Sequence, residues 1–451
     1  MIELPILGQP LAGDRAAFSH NHADGPRNWR RFDVDSRQYV YVAAGSQVYA
    51  IDGAAFDAAA LSGDPLAALE IPQFDVSPRD PTRSAPVRAL SLAIAQKCNL
   101  GCTYCYAEGG DFGAAPKAMS TDTARSAVDL LFAAAHTSQR VNLSFLGGEP
   151  LLARDVLRET TQYAAELGRR RQVAVGFAIT TNATLLNAED ADFFERFGFA
   201  VTISLDGVGA AHDRQRPFKG GGGSYQRILA NVRPLLGRAL QVFARATVTS
   251  ESMDLRAALE GLLSEGFQSV GFAPMLAAPT GRGELDSDHL REMLARMIEC
   301  GREFERRVLA GETYGFANLI DALGEIHKGS HRRYPCGAGN GYFGVSAEGE
   351  LAACHRFVGD PAGAMGTLTS GVDPARQEDW LRNRFVDHQE PCRSCWARYL
   401  CGGGCHHEVL RRGRPACDYI RGWLHFALQS YARLLAARPD YFRGSARADG
   451  R

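Results

Sequence analysis

Apolar positions change period along this chain, and the changes divide it into parts. Between residues 88 and 280, short apolar runs alternate with amphipathic stretches. That is the pattern of strands and helices in a parallel sheet. Strands are predicted near 89–95, 141–146, 173–180, 200–205, 241–248 and 269–274. Helices are predicted near 121–136, 153–169, 188–197, 224–237 and 253–266. Six such steps are too few for a closed eight-stranded barrel.

Upstream, Gln38–Ala43 and Ser46–Ile51 are β-prone runs joined by Ala-Gly, which predicts a hairpin. Asp52–Leu61 then reads as a helix. Pro72, Pro78, Pro81 and Pro86 mark a linker. Downstream, 284–328 has a helical, polar-rich pattern, and 419–437 is again helical. Between them, residues 334–420 hold seven of the eleven cysteines among many glycines. The predicted parts are an extension (1–85), an α/β core (86–283), a helical bridge (284–333), a cysteine-rich domain (334–425) and a helix with a tail (426–451).

At 451 residues the chain has room for about three domains. Its formal net charge of −1 gives no basic face for nucleic acid. Met1-Ile-Glu-Leu-Pro is no signal peptide, and no apolar run reaches membrane-spanning length. The expected compartment is the reducing cytoplasm. An odd cysteine count fits a disulfide framework poorly, and the spacings look metal-like.

The most informative spacing is Cys98-x3-Cys102-x2-Cys105. Three thiolates in eight residues suit three corners of a [4Fe–4S] cluster, with the fourth iron open. Zinc is the rival, but it asks for four ligands. No cysteine precedes Cys98, and no cysteine or histidine follows Cys105 within thirty residues.

The surrounding residues resemble the radical S-adenosylmethionine (SAM) superfamily. Leu92-Ala-Ile-Ala-Gln-Lys97 leads into Cys98, and Tyr104 stands before the third cysteine. Val141–Leu146 runs into Gly147-Gly148-Glu149-Pro150, and Ile179–Leu186 contains Asn182. Val201–Gly207 contains Ser204 and Asp206. The resemblance covers about 180 residues. It implies an open, partial (β/α)6 barrel, with ligands at the carboxyl ends of its strands.

It also implies a chemistry. SAM would chelate the open iron of the Cys98/Cys102/Cys105 cluster. Reductive cleavage would give a 5′-deoxyadenosyl radical that takes hydrogen from a substrate. By position, Tyr104, Gly147, Gly148, Glu149, Asn182 and Ser204 would bind SAM. Gly147 and Gly148 would let backbone approach the methionyl amine. Arg245, a guanidinium on a later strand, suits the SAM carboxylate. The polar run His212-Asp-Arg-Gln-Arg216, with Lys219 and Gly220–Gly223, forms a mobile-looking loop that would contact peptide substrate, and Asp206-Gly207 resembles the family's site near the substrate backbone. A plain turn explains Asp206-Gly207 equally well. No residue is singled out as catalytic.

The second cysteine set runs Cys336, Cys354, Cys392-x2-Cys395-x5-Cys401-x3-Cys405 and Cys417. It resembles the seven-cysteine SPASM extension of peptide- and protein-modifying radical SAM enzymes. A structural zinc domain is the alternative. Carried over by position, Cys392, Cys395, Cys401 and Cys417 would ligate one auxiliary [4Fe–4S] cluster. Cys336, Cys354 and Cys405 would hold another, making three clusters in all. Cys300 is left over, either as a fourth ligand or as a buried helical cysteine. His406 and His407 are alternative ligands, or residues outside the ligand set or facing solvent.

The expected partners are a peptide or small protein and a reductant such as flavodoxin or ferredoxin. The strand–strand–helix start resembles winged-helix modules that grip leader peptides; an extension packed on the barrel is the alternative. Tyr334–Gly339, Gly344–Glu350, Cys354–Asp360 and Tyr106–Gly113 look like thioether-forming maturases, including those acting on a small amine-dehydrogenase subunit. Sulfatase activators of the family carry aspartate directly after the cysteine matching Cys354; here it is His355. That counts against formylglycine formation, and carbon–carbon cross-linking stays open. An iron–sulfur electron-transfer protein would explain the cysteines but not the Gly-Gly-Glu-Pro motif, Asn182 or the barrel. A zinc-stabilised binding module would explain the cysteines only.

Overall fold

The computed structural model describes residues 28–72 and 85–445. The chain start, Pro78, Pro81 and the last six residues, all named above, lie outside them. Six parallel strands run in chain order: Ala89–Gln96, Arg140–Gly147, Ala174–Thr181, Ala200–Ser204, Gln241–Val248 and Ser269–Pro274. Each matches a predicted strand within a residue or two. Right-handed crossovers are the rule for such units, and the predicted helices provide them here: Thr121–Ala133, Arg154–Arg171, Ala188–Phe197, Tyr225–Leu236 and Leu255–Ser264.

Alternation sets the two faces of each strand. On Gln241–Val248, Val242, Ala244, Ala246 and Val248 are buried, while Gln241 and Arg245 are exposed. The apolar face packs in the main core with Leu259, Leu262 and Phe267. The other face lines the inside of the partial barrel.

Two edges remain in an unclosed barrel, and each is covered. At one, Tyr342–Val345 pairs in parallel with the first barrel strand, Tyr342 opposite Ala89. Glu350–Ala352, Ala364–Thr367 and Gly371–Val372 then continue the same sheet. The cysteine-rich region is therefore built onto the barrel sheet and not set apart as a separate layer. Gly344 makes this close fit possible, since a Cβ there would stand 2.7 Å from the Cys354 carbonyl carbon.

At the other edge, the Phe272 backbone N–H donates to Asn318 Oδ1 at 2.8 Å. Asn318 Nδ2 donates back to the Phe272 carbonyl at 2.9 Å. One side chain thus imitates a neighbouring strand beside the single bridge that Val270 makes with Phe316 at this edge. Asn318→Leu should leave both backbone groups unsatisfied, costing about 1–3 kcal/mol each before relaxation. Chemical denaturation should show a lower midpoint; an unchanged midpoint would mean that water takes the role.

The predicted bridge is helical, as Ser287–Leu309 and Ala317–His327. The boundary expected at 425/426 falls inside one continuous helix, Cys417–Ala437. Apolar residues recur along it without a break, so no domain can end there.

The hairpin near residue 45 forms, but a third strand, Trp29–Val34, completes the sheet. Its Phe32 and Val34 alternate with exposed Asp33, a strand that the hairpin reading did not include. Val40, Val42, Phe56, Leu66 and Ile71 form a small separate core beneath the helix Gly53–Ser62. This unit docks on the cysteine-rich side. Tyr41 meets Trp396 edge-on at 6.2 Å, and Arg398 donates to Asn28 at 2.9 Å. Among the described residues, no helix is long and apolar enough to cross a membrane.

Candidate active site

Cys98, Cys102 and Cys105 lie on the loop that leaves the first barrel strand. The Gly-Gly-Glu segment holds the start of this loop. Gly148 N donates to Ala95 O at 2.8 Å, and Glu149 N to Lys97 O at 2.9 Å. Gly147 has φ +142°, and a Cβ there would lie 2.3 Å from Ala95 O. A Cβ on Gly148 would lie 2.2 Å from Lys97 O. The glycines expected to admit a ligand thus let the protein's own backbone close on the cysteine loop.

Glu149 is fully buried. Its carboxylate accepts from Leu151 N at 3.0 Å, Thr181 Oγ1 at 2.6 Å and Asn182 N at 2.7 Å. Burial raises its pKa, and those three bonds oppose the rise. It ties three strand ends together. Asn182 continues the brace, donating to Asn99 Oδ1 at 3.0 Å and reaching Cys98 Sγ at 3.7 Å.

The residues expected to meet substrate form a closed network. Asp206 Oδ2 accepts from Arg216 Nε at 2.9 Å and from the Tyr104 hydroxyl. Asp206 Oδ1 accepts from Thr247 N at 2.9 Å. The Asp206 N–H donates to His212 Nδ1 at 3.2 Å, and His212 Nε2 pairs with Ser224 Oγ at 2.9 Å. The Asp206 and Arg216 side chains are only 0% and 11% exposed. The run read as mobile is instead the short helix Ala210–Gln215, which buries His212 and Gln215. A buried carboxylate needs compensation, and Arg216 is drawn inward to provide it. Arg214 and Lys219–Gly223 are exposed, with Lys219 Nζ on Gly109 O at 3.1 Å.

Burial, then the nearby Arg216 charge, lowers the His212 pKa to about 4. An unfolded chain binds this proton below about 6.5, whereas the folded one resists it until about 4. Stability is therefore lost as pH falls through that window, by up to about 3 kcal/mol from this group. His406 and His407, also buried and lowered to about 3 and about 4, act in the same direction. The thermal midpoint should fall steadily from pH 6.5 to pH 4, and less steeply in His212→Gln.

Ser204 ends its strand in register with Arg245. Arg245 is exposed to the barrel interior, yet surrounding protein lowers its pKa through desolvation. Asp321 and Glu408 are its acidic neighbours.

All eleven cysteines are free thiols. Ten of them fall into three sets of electrostatic neighbours. Cys98, Cys102 and Cys105 form the first. Cys336, Cys354 and Cys405 form the second, and Cys392, Cys395, Cys401 and Cys417 the third. Burial is the main cause of the raised thiol pKa values, with Cys102 and Cys354 at about 12. The third set lines a cavity of about 60 Å³, with Cys405 on its wall. Among the described residues, no three Cys, His, Asp or Glu side chains converge closely enough for one metal ion.

Cys300 is buried elsewhere, with Glu299, Arg256 and Glu260 as its charged neighbours. His406 and His407 do not face solvent; they pack edge-on against Trp380 at 5.3 Å and Phe357 at 5.1 Å.

One group escaped the sequence reading. Tyr106 feels both Cys105 of the first set and Cys354 of the second. His355 lies 6.0 Å from its ring. Tyr342 donates to Ser91 Oγ at 2.9 Å and pairs with His355 Nδ1 at 2.9 Å. The sequence singles out His355 and the Tyr106–Gly113 run by family resemblance, but does not reveal that the two rings meet. Tyr342 and Ser91 gave no signal, because a parallel strand pair brings them together.

Comparisons with known proteins agree with this geometry. Residues 92–250 match the model of the Radical SAM superfamily. The cysteine-type anaerobic sulfatase-maturating enzyme of Clostridium novyi (strain NT) is 32% identical over 348 residues, spanning 71% of this chain and 89% of that protein. The solved structure of anSMEcpe with bound AdoMet superposes with a TM-score of 0.66 at 19% identity, covering 80% of this chain and 98% of that one. Streptococcus suis SuiB bound to precursor peptide SuiA gives 0.52 at 14% identity, covering 86% and 96%. With a long match to one relative, a superfamily match across the barrel and the cysteine loop at its strand ends, the chain belongs to the radical SAM superfamily and is an enzyme.

Proposed function

We propose that this enzyme is a maturase that joins a cysteine sulfur to a carbon of a peptide or small protein as a thioether. Membership in the superfamily brings SAM and a [4Fe–4S] cluster, and Cys98, Cys102 and Cys105 would hold that cluster. When bound, the pair supplies a 5′-deoxyadenosyl radical that removes a substrate hydrogen atom. The Cys336/Cys354/Cys405 and Cys392/Cys395/Cys401/Cys417 sets would hold two auxiliary clusters.

The observation that carries the reading is the shared neighbourhood of the first two thiol sets. Tyr106 lies beside both, and Cys336 of the second set is exposed. A substrate thiol could approach the second set without leaving reach of the first. The chain's own residues would hold the ligands: Arg245 offers a guanidinium to the SAM carboxylate, and Tyr106 and Tyr342 stand beside Cys354 of the second set. Sulfatase-type oxidation is the second reading, favoured by the Clostridium novyi relative's name. His355 weighs against it, because its ring sits with Tyr342 where that reaction type would need a carboxylate.

Anaerobic reconstitution with SAM, a low-potential reductant and candidate peptides tests the choice. Thioether formation should remove two hydrogens and leave a cysteine that no longer alkylates. An aldehyde trapped by hydrazine would establish the sulfatase-type reaction instead. Removal of residues 1–75 should weaken peptide modification and spare uncoupled SAM cleavage, if the three-stranded unit grips a leader.

A further inference from the structure

Two buried arginines stand in matching arrangements against the first two thiol sets. Arg216 Nη1 lies 3.9 Å from Cys102 Sγ, while its Nε bonds Asp206 at 2.9 Å. Its guanidinium lies over the Tyr104 ring at 5.4 Å. Arg356 Nη1 lies 3.9 Å from Cys405 Sγ and 2.7 Å from Glu408 Oε1. Its guanidinium lies over the Tyr106 ring at 5.3 Å. The two tyrosines flank Cys105. Each arginine thus has one carboxylate, one tyrosine face and one cysteine sulfur.

We propose that Arg216 is a positioning charge for the Cys102 sulfur that makes the cluster held by Cys98, Cys102 and Cys105 easier to reduce, and that it does not contact substrate. The inference rests on those three cysteines being the ligands. Adding an electron makes a thiolate-bound cluster more negative. A fixed positive charge near one sulfur stabilises that state, and more strongly away from water. A guanidinium stays charged when buried. The geometry is polarised: the Nε edge faces Asp206 and an Nη1 faces the sulfur. Asp206 also accepts from Thr247 N and Tyr104, so its charge is spread over three donors.

The test is an anaerobic redox titration of the holoenzyme, following the reduced-cluster EPR signal that changes when SAM is added. Arg216→Gln should shift the reduction equilibrium at least tenfold toward the oxidised form, about 59 mV for one electron. Arg216→Lys, which keeps the charge, should shift it less. Asp206→Asn should shift it the opposite way, because it removes the opposing negative charge. Both variants disturb the same packed network, so a merely structural effect would move the potential in one direction. Opposite shifts in protein with full iron content support the inference. Shifts of the same sign, or none in fully loaded Arg216→Gln, overturn it. Cys102→Ala separates the layers: a SAM-responsive signal persisting there would overturn the ligand assignment itself.

Discussion

Cys98→Ala, Cys102→Ala and Cys105→Ala should each reduce 5′-deoxyadenosine formation to the level of metal-free protein. A cluster held by three cysteines with one open iron has no fourth cysteine to take over a lost ligand. The fold should survive, since Leu90, Leu92, Ile94 and Leu143 bury the strand core without help from the loop. Circular dichroism should be close to that of the parent, while iron content falls by about four per chain. Undiminished SAM cleavage in any one variant would remove that cysteine from the ligand set. Cys300→Ala is the contrasting case. Its neighbours are charged residues and Tyr314, not other thiols, so full iron content is expected.

Gly148→Ala should be nearly as damaging, although it removes no ligand. Its new Cβ would stand 2.2 Å from Lys97 O and 2.8 Å from Gly110 Cα. Both neighbours are backbone, so neither can rotate away. Gly148 and Lys97 must part by about 1 Å to reach an ordinary contact, and Lys97 is bonded in sequence to Cys98. Overpacking of this kind costs about 1–3 kcal/mol. A misplacement of about 1 Å at a reacting centre can cost about 100-fold in rate. SAM cleavage should fall by about that factor, with partial loss of iron and a lower melting temperature. Normal cleavage with normal iron content would show that the loop shifts without disturbing the cysteines. Gly198→Ala is a useful control, because its Cβ would meet nothing within 4 Å and only its positive φ resists the change.

The sequence by itself determined the barrel strands and helices, because apolar spacing follows the backbone's own periods of two and 3.6 residues. It named three thiol sets as well, the first from local spacing and the other two from a family resemblance. What it could not decide was which way polar side chains turn. His212 and Arg216 read as part of a mobile loop, yet they pack with Asp206, because an unpaired carboxylate inside the protein costs more than ordering the helix. Gly147 and Gly148 also let the Ala95 and Lys97 backbone close in, which their spacing did not reveal. Long-range pairing was equally hidden. Tyr342 reaches Ser91, Asn318 covers Phe272 and Tyr41 meets Trp396 only when strands far apart in the chain come side by side. Local spacing is fixed residue by residue, whereas the partner of a buried charge or an open strand edge is fixed only by the packed whole.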